Sequence, residues 1–117
     1  MMKKLLWMLL LSGCATSQLP QTGDAAAWQA FGLQQGELGR MKMTQTQMLK
    51  QDEQQLVDSQ IYKAYSLGYE QGVQEYCQQS AYVLGISGKP YFGVCGDMNS
   101  DFQRYYDAGR NSTARRF

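Results

Sequence analysis

Two pairs of glycines set four apart, Gly32-x-x-x-Gly36 and Gly68-x-x-x-Gly72, constrain this chain more than any other feature. Both lie in segments that otherwise read as helix. A glycine inside a helix costs about 1 kcal/mol against alanine, so close packing should compensate for it. Glycines four apart share one helix face and let another backbone or ring lie against it. The pairs sit in similar surroundings: Gly32-Leu33-Gln34-Gln35-Gly36 matches Gly68-Tyr69-Glu70-Gln71-Gly72, with glutamine before the second glycine in each. Two such helices in one small domain can serve each other. The functional alternative is an oligomer contact or a ligand groove. Neither segment is an apolar 20-mer, so a membrane dimer motif is a weak reading.

The pattern around these glycines predicts a mainly α, small helical domain of three to four helices, over 24–110. Asp24 before Ala25-Ala26-Ala27 reads as an N-cap, opening a helix over 25–38. Residues 39–46 break the pattern and connect. From 47 to 79 apolar residues recur at helical spacing, with Leu49, Leu56, Val57, Ile61, Tyr65, Tyr69, Val73 and Tyr76 on the repeat. This is either one long helix or two, the second capped by Asp58-Ser59; the break at Asp58 is preferred. Residues 80–97, with Gly85, Gly88, Gly93, Gly96 and Pro90, read as a Gly/Tyr-rich ordered loop with tight turns. Asp97 or Asn99 caps a last helix over 99–108, with Gly109 as its C-terminal cap. Residues 111–117 form a basic tail.

Several chemistries are excluded outright. The chain of 117 residues contains no histidine, which removes Ser-His-Asp and Cys-His catalysis and histidine metal ligands. Three cysteines cannot complete a four-cysteine zinc site, and no metal or cofactor is expected. Eleven basic against ten acidic residues give no basic field for nucleic acid. The carboxylates, among them Asp97 with Asp101 and Glu70 with Glu75, are explained as solvated faces and caps. No phosphate loop or nucleophile elbow occurs. A non-enzymatic protein is expected.

The N-terminus carries an address. Lys3-Lys4 precede an apolar run, Leu5 to Leu11, far too short to span a bilayer. Leu11-Ser12-Gly13-Cys14 resembles the lipobox of bacterial lipoproteins. The resemblance implies a signal peptide over 1–13, removal before Cys14, and acylation of the Cys14 thiol and its new amino group. Residues 14–23 then form a flexible lipidated tether. Ala15 follows the cysteine where aspartate would retain the protein at the inner membrane, which implies the periplasmic face of the outer membrane. Acyl chains contribute about 0.8 kcal/mol per buried CH₂, so several chains anchor firmly.

In an oxidising periplasm, Cys77 and Cys95 suit a disulfide across a turn-rich stretch, worth roughly 3 kcal/mol in the chain-entropy model. The alternative is a redox pair or reactive thiol. Tyr82 and Tyr91, in the Gly/Tyr-rich loop, are candidate binding residues, because tyrosine carries an apolar body and a polar tip that stack on sugars or peptides. The alternative there is a tyrosine-rich core with hydroxyls at its rim, as Tyr65, Tyr69 and Tyr76 sit at helical core spacing.

Further residues form a wider pattern: Trp28-x-x-x-Gly32-x-x-x-Gly36-x-x-Gly39-Arg40, then Tyr65-x-x-Gly68-x-x-x-Gly72-x-x-x-Tyr76-Cys77. Ala81-Tyr82-Val83-Leu84-Gly85-x-x-Gly88, Tyr91-x-Gly93-Val94-Cys95 and Phe102-x-x-x-Tyr106-x-x-Gly109-Arg110 follow. Together they resemble the bacterial lipoprotein family known as domain of unknown function 2799, over about 24–110. Members often carry a further cysteine in the segment matching 44–60; this chain has none, which leaves Cys77 and Cys95 as the available pair. The resemblance implies a lipidated envelope protein and carries over no catalytic residue. The expected partners are membrane lipid, through acylated Cys14, and an envelope protein. The alternative is a glycan- or peptide-binding module, with peptidoglycan or another glycan on the Gly/Tyr-rich loop.

Overall fold

The structure, a computed structural model, describes residues 18–114. The signal peptide over 1–13, Cys14 and the tether as far as residue 17 lie outside the described residues. The fold is mainly α, with five helices where three to four were expected and no strand among the described residues. The helices are α1 (Ala25–Glu37), α2 (Gln45–Gln51), α3 (Ser59–Tyr76), α4 (Ala81–Ser87) and α5 (Phe102–Ala114).

Local side chains set most of these boundaries. The Asp24 carboxylate accepts from Ala26 N at 3.2 Å and opens α1. Thr44 and Gln47 form a reciprocal capping box on α2. Asp58 accepts from Ile61 N at 2.8 Å and opens α3, so the helical periodicity from 47 onward is two helices. Between them the Asp52 carboxylate accepts from Leu56 N and Val57 N, at 2.9 and 2.7 Å, and folds the turn. Gln55 takes a positive φ of 56° within it.

The stretch 80–97 corrects the sequence reading in part. Residues 81–87 are helical, not loop: Ser80 accepts from Val83 N at 3.2 Å, and left-handed Gly88, at φ 83°, ends the helix. Gly109 is also not a cap. The last helix begins at Phe102, later than the predicted 99, and continues through Gly109 to Ala114. Both errors have one cause. Gly85 and Gly109 are where α4 and α5 touch, so the glycines mark a helix crossing where turns were inferred.

The crossings follow one rule. A Cβ on Gly32 would strike Tyr65 O and lie 2.8 Å from Tyr69 N; on Gly36 it would strike Tyr69 O and lie 2.7 Å from Val73 N. Residue numbers therefore rise together along α1 and α3, and the two helices run in the same direction. Each crossing glycine meets the carbonyl three residues before its partner glycine and the nitrogen one residue after it. Gly85 and Gly109 repeat this on α4 and α5, through Tyr106 O with Arg110 N and through Tyr82 O with Ile86 N. Because Cα–Cβ bonds lean toward the helix N-terminus, the shared offsets give α4 and α5 the same sense too.

Two apolar clusters result. Trp28, Phe31, Met48, Ile61, Tyr65 and Val73 fill the first, beneath α1, α2 and α3. Tyr76, Ala81, Leu84, Cys95, Phe102 and Tyr106 fill the second. Cys77 and Val94 pack against both. The Cys77–Cys95 disulfide, with Cα atoms 5.6 Å apart, joins the end of α3 to the connection between α4 and α5. Leu19 is buried in the first cluster, and Trp28 Nε1 donates to Thr22 O at 2.8 Å. The end of the predicted tether is therefore packed onto the domain.

Candidate functional site

Same-sense helices need a connection that travels back along the pair, and tyrosines hold these connections down. From α3, the Tyr62 hydroxyl donates to Met43 O at 2.8 Å and the Tyr69 hydroxyl to Arg40 O at 2.7 Å. Met43 N donates to the Tyr65 hydroxyl at 2.8 Å. From α5, the Tyr106 hydroxyl donates to Lys89 O at 2.6 Å. Burial pushes the Tyr69 hydroxyl up to about 12 and raises Tyr65 and Tyr76 above the ordinary tyrosine value. The Tyr62, Tyr65, Tyr69 and Tyr106 hydroxyls bond to backbone groups, and the Tyr65, Tyr69, Tyr76 and Tyr106 rings are buried in the core.

A correspondence missed in the sequence emerges here. Gly36-x-x-Gly39-Arg40 ends α1, and Gly85-x-x-Gly88-Lys89 ends α4. Gly39 and Gly88 are both left-handed, at φ 73° and 83°. The partner helices carry Tyr69-x-x-Gly72 and Tyr106-x-x-Gly109, and in both units the tyrosine hydroxyl binds the carbonyl of the cationic residue. The domain is thus two copies of one device: a helix, a left-handed glycine, a cation, and a same-sense helix that pins the cation's backbone. The first copy contains α2 in its connection; the second has the disulfide-tied stretch 88–101. The repeated Gly-x-x-Gly-cation string was the available signal. It was obscured because Gly36 had been paired with Gly32, and Gly85 and Gly88 read as turns.

The two cations meet at a groove of about 580 Å³ where the copies adjoin. Its walls are Leu38, Arg40 and Met41 from the first copy, and Leu84, Lys89, Pro90 and Phe92 from the second. Tyr76 forms its floor, packed over Gly39, where an added side chain would strike the ring, and stacked on Tyr91 and Phe102. No carboxylate lines it. Leu38 and Phe92 are each 51% exposed and Met41 67%. Two other hollows are polar or mixed, one of about 290 Å³ beside Gln18 and Gln54 and one of about 400 Å³ along Arg40 to Met43.

The structure distributes the sequence-derived residues widely. Gly32, Gly36, Gly68 and Gly72 lie together at the α1/α3 contact. Cys77 and Cys95 are bonded to each other, so neither offers a free thiol. Tyr82 is exposed on α4. Tyr91 is half-buried, packed on Phe102 with centroids 4.8 Å apart, and its hydroxyl accepts from Cys95 N at 2.9 Å. Among the described residues no group of three or more His, Cys, Asp or Glu is placed to hold a metal ion, and no helix is long and apolar enough to cross a membrane.

A family model described as "Protein of unknown function (DUF2799)" matches residues 27–111. No curated protein and no solved structure matches the chain.

Proposed function

Because the chain belongs to the DUF2799 family, which has no assigned activity, we propose from its own residues that it is a lipid-anchored protein of the outer membrane's periplasmic face that acts without catalysis, by docking a protein. The groove carries this reading. It is apolar, open, and framed by residues that the two copies hold in place. Large apolar side chains left half-wet at one spot are what an interaction surface shows before its partner arrives. The anchor rests on the Leu11-Ser12-Gly13-Cys14 string. Only five peptide units separate Cys14 from buried Leu19, at most about 18 Å of chain, so the domain stays near the bilayer. The glycan reading relies on Tyr82 and Tyr91 as a stacking pair, and the packing of Tyr91 into the core favours the protein reading instead.

The experiment is site-specific photocrosslinking in intact cells, with a benzophenone amino acid replacing Phe92. A discrete protein adduct, absent when the probe replaces exposed Gln74, supports docking. Adducts to peptidoglycan fragments, or none, overturn it.

A further inference from the structure

We infer that the hollow between α1, α2 and the connection 40–43 binds an extended polypeptide segment by its backbone, with the Gln35 carboxamide as the buried contact. This is a second site beyond the docking groove, which it adjoins at Arg40 and Met41. Gln35 carries the inference. It is the one buried carboxamide among the described residues, at 9% exposure. Its amide hydrogen-bonds to no described residue. No polar side-chain atom among those residues is sealed away without a partner, so the amide opens into the hollow that Gln35 lines. Burying a polar group without a partner is costly where an apolar side chain would fill the same space. An unspent donor and an unspent acceptor, in a hollow of about 400 Å³, suit a ligand that brings both in return.

Geometry selects the ligand. A carboxamide presents its carbonyl and its amino group side by side. A residue of an extended chain does the same with its own N–H and C=O, which share one edge, as in a hydrogen-bonded strand pair. The N-acetyl amide of an amino sugar is trans, so its N–H and C=O point opposite ways and cannot both meet one carboxamide. Gln47 and Gln51 line the same hollow from α2. Four residues apart on a helix, they are offset by about 6 Å along its axis. An extended chain presents the same edge again after about 6.6 Å, so both glutamines can address one strand. Gln47 Oε1 accepts from Thr44 N at 2.9 Å, which leaves its amide nitrogen to donate. Phe31, Met41 and Met43 give apolar wall to the side chains between. The wall is fixed in advance, because Tyr69 and Tyr62 hold Arg40 O and Met43 O at 2.7 and 2.8 Å.

The probe is a fluorescein-labelled octapeptide of alternating serine and valine, read by anisotropy against the full chain in neutral detergent micelles. An analogue methylated at every backbone nitrogen keeps the side chains and loses the donors. The unmethylated peptide should bind at millimolar concentration or below, and methylation should weaken it about tenfold. Gln35→Met keeps the length of the side chain and removes the amide. It should weaken the unmethylated peptide about tenfold and the analogue less, because both changes delete the same contact. The Gln35→Met chain should melt at or above the parent chain, since no described residue bonds the amide. No binding of the unmethylated peptide, equal binding of the two peptides, undiminished binding to Gln35→Met, or a Gln35→Met chain that melts below the parent overturns the inference. So does displacement of the peptide by tri-N-acetylchitotriose. Crosslinking at position 92 reads the groove alone, so the two readings stand or fall separately.

Discussion

Gly72→Ala isolates what holds the two helices of the first copy together. The new Cβ would strike Leu33 O and lie 2.6 Å from Glu37 N and 2.9 Å from Gly36 C. All three are backbone atoms, so no side chain can swing aside. Carbon contacts are optimal near 3.5–4.0 Å, so α1 and α3 must part by about 1 Å at this point. A gap of that size forfeits up to about half of each dispersion contact across the interface. Overpacking of this kind costs about 1–3 kcal/mol, and rigid neighbours place Gly72 near the top of that range. Helix propensity returns about 1 kcal/mol. The net loss is about 2 kcal/mol, or roughly 8–16 °C in melting temperature for a domain of this size. Thermal denaturation followed by far-UV circular dichroism reads it, with Gln74→Ala on the exposed face of α3 as control. Adding Gly36→Ala should cost less than its single-variant value, because one separation makes room for both methyls. A Gly72→Ala chain that melts at or above the parent would refute the reasoning, since that is what propensity alone demands.

Cys77→Ser should lose about 3 kcal/mol and roughly 12–24 °C, and equal melting with and without reductant would contradict a stabilising bridge. Tyr69 stays protonated to about 12 in the fold, whereas an unfolded tyrosine releases its proton near 10.0. Between those values the unfolded chain binds fewer protons, so stability falls as pH rises. Tyr69→Phe should flatten that alkaline decline in urea titrations at pH about 9 and about 11. Cys14→Ala should release the protein from the membrane fraction; unchanged fractionation would sink the proposed anchor.

The sequence disclosed those features whose physics is local. Asp24 and Asp58 cap helices through their own side chains, and both starts were legible. The cysteine pair and the helical spacing of Tyr65, Tyr69 and Tyr76 were legible for the same reason. What failed was partner-dependent. Gly85 and Gly109 look like turn residues until another helix lies against them. Ser80 was an unremarked serine within a glycine-rich stretch, although it caps α4. The groove was invisible because Leu38 and Arg40 lie far along the chain from Lys89 and Phe92, and only the joining of the two copies brings them together. Tyr91 reads as a binding residue because it lies in a Gly/Tyr-rich stretch; its hydroxyl instead serves Cys95 N.

The common direction of α1 and α3 has an electrical consequence. Antiparallel helices cancel each other's macrodipoles, whereas helices of one sense add them. At the doubled positive end stand the carboxylates of Asp24 and Asp58, which suits them. At the doubled negative end stand Glu37 and Glu75, the wrong sign for that place. The hydrogen bond that protonated Glu37 donates to Glu75, slight desolvation and the Glu75 charge raise the Glu37 carboxyl above the usual glutamate value. A group so raised stabilises the fold at pH below its unfolded value, and that contribution fades as pH climbs through the folded one. Mild acid therefore firms this end of the helix pair.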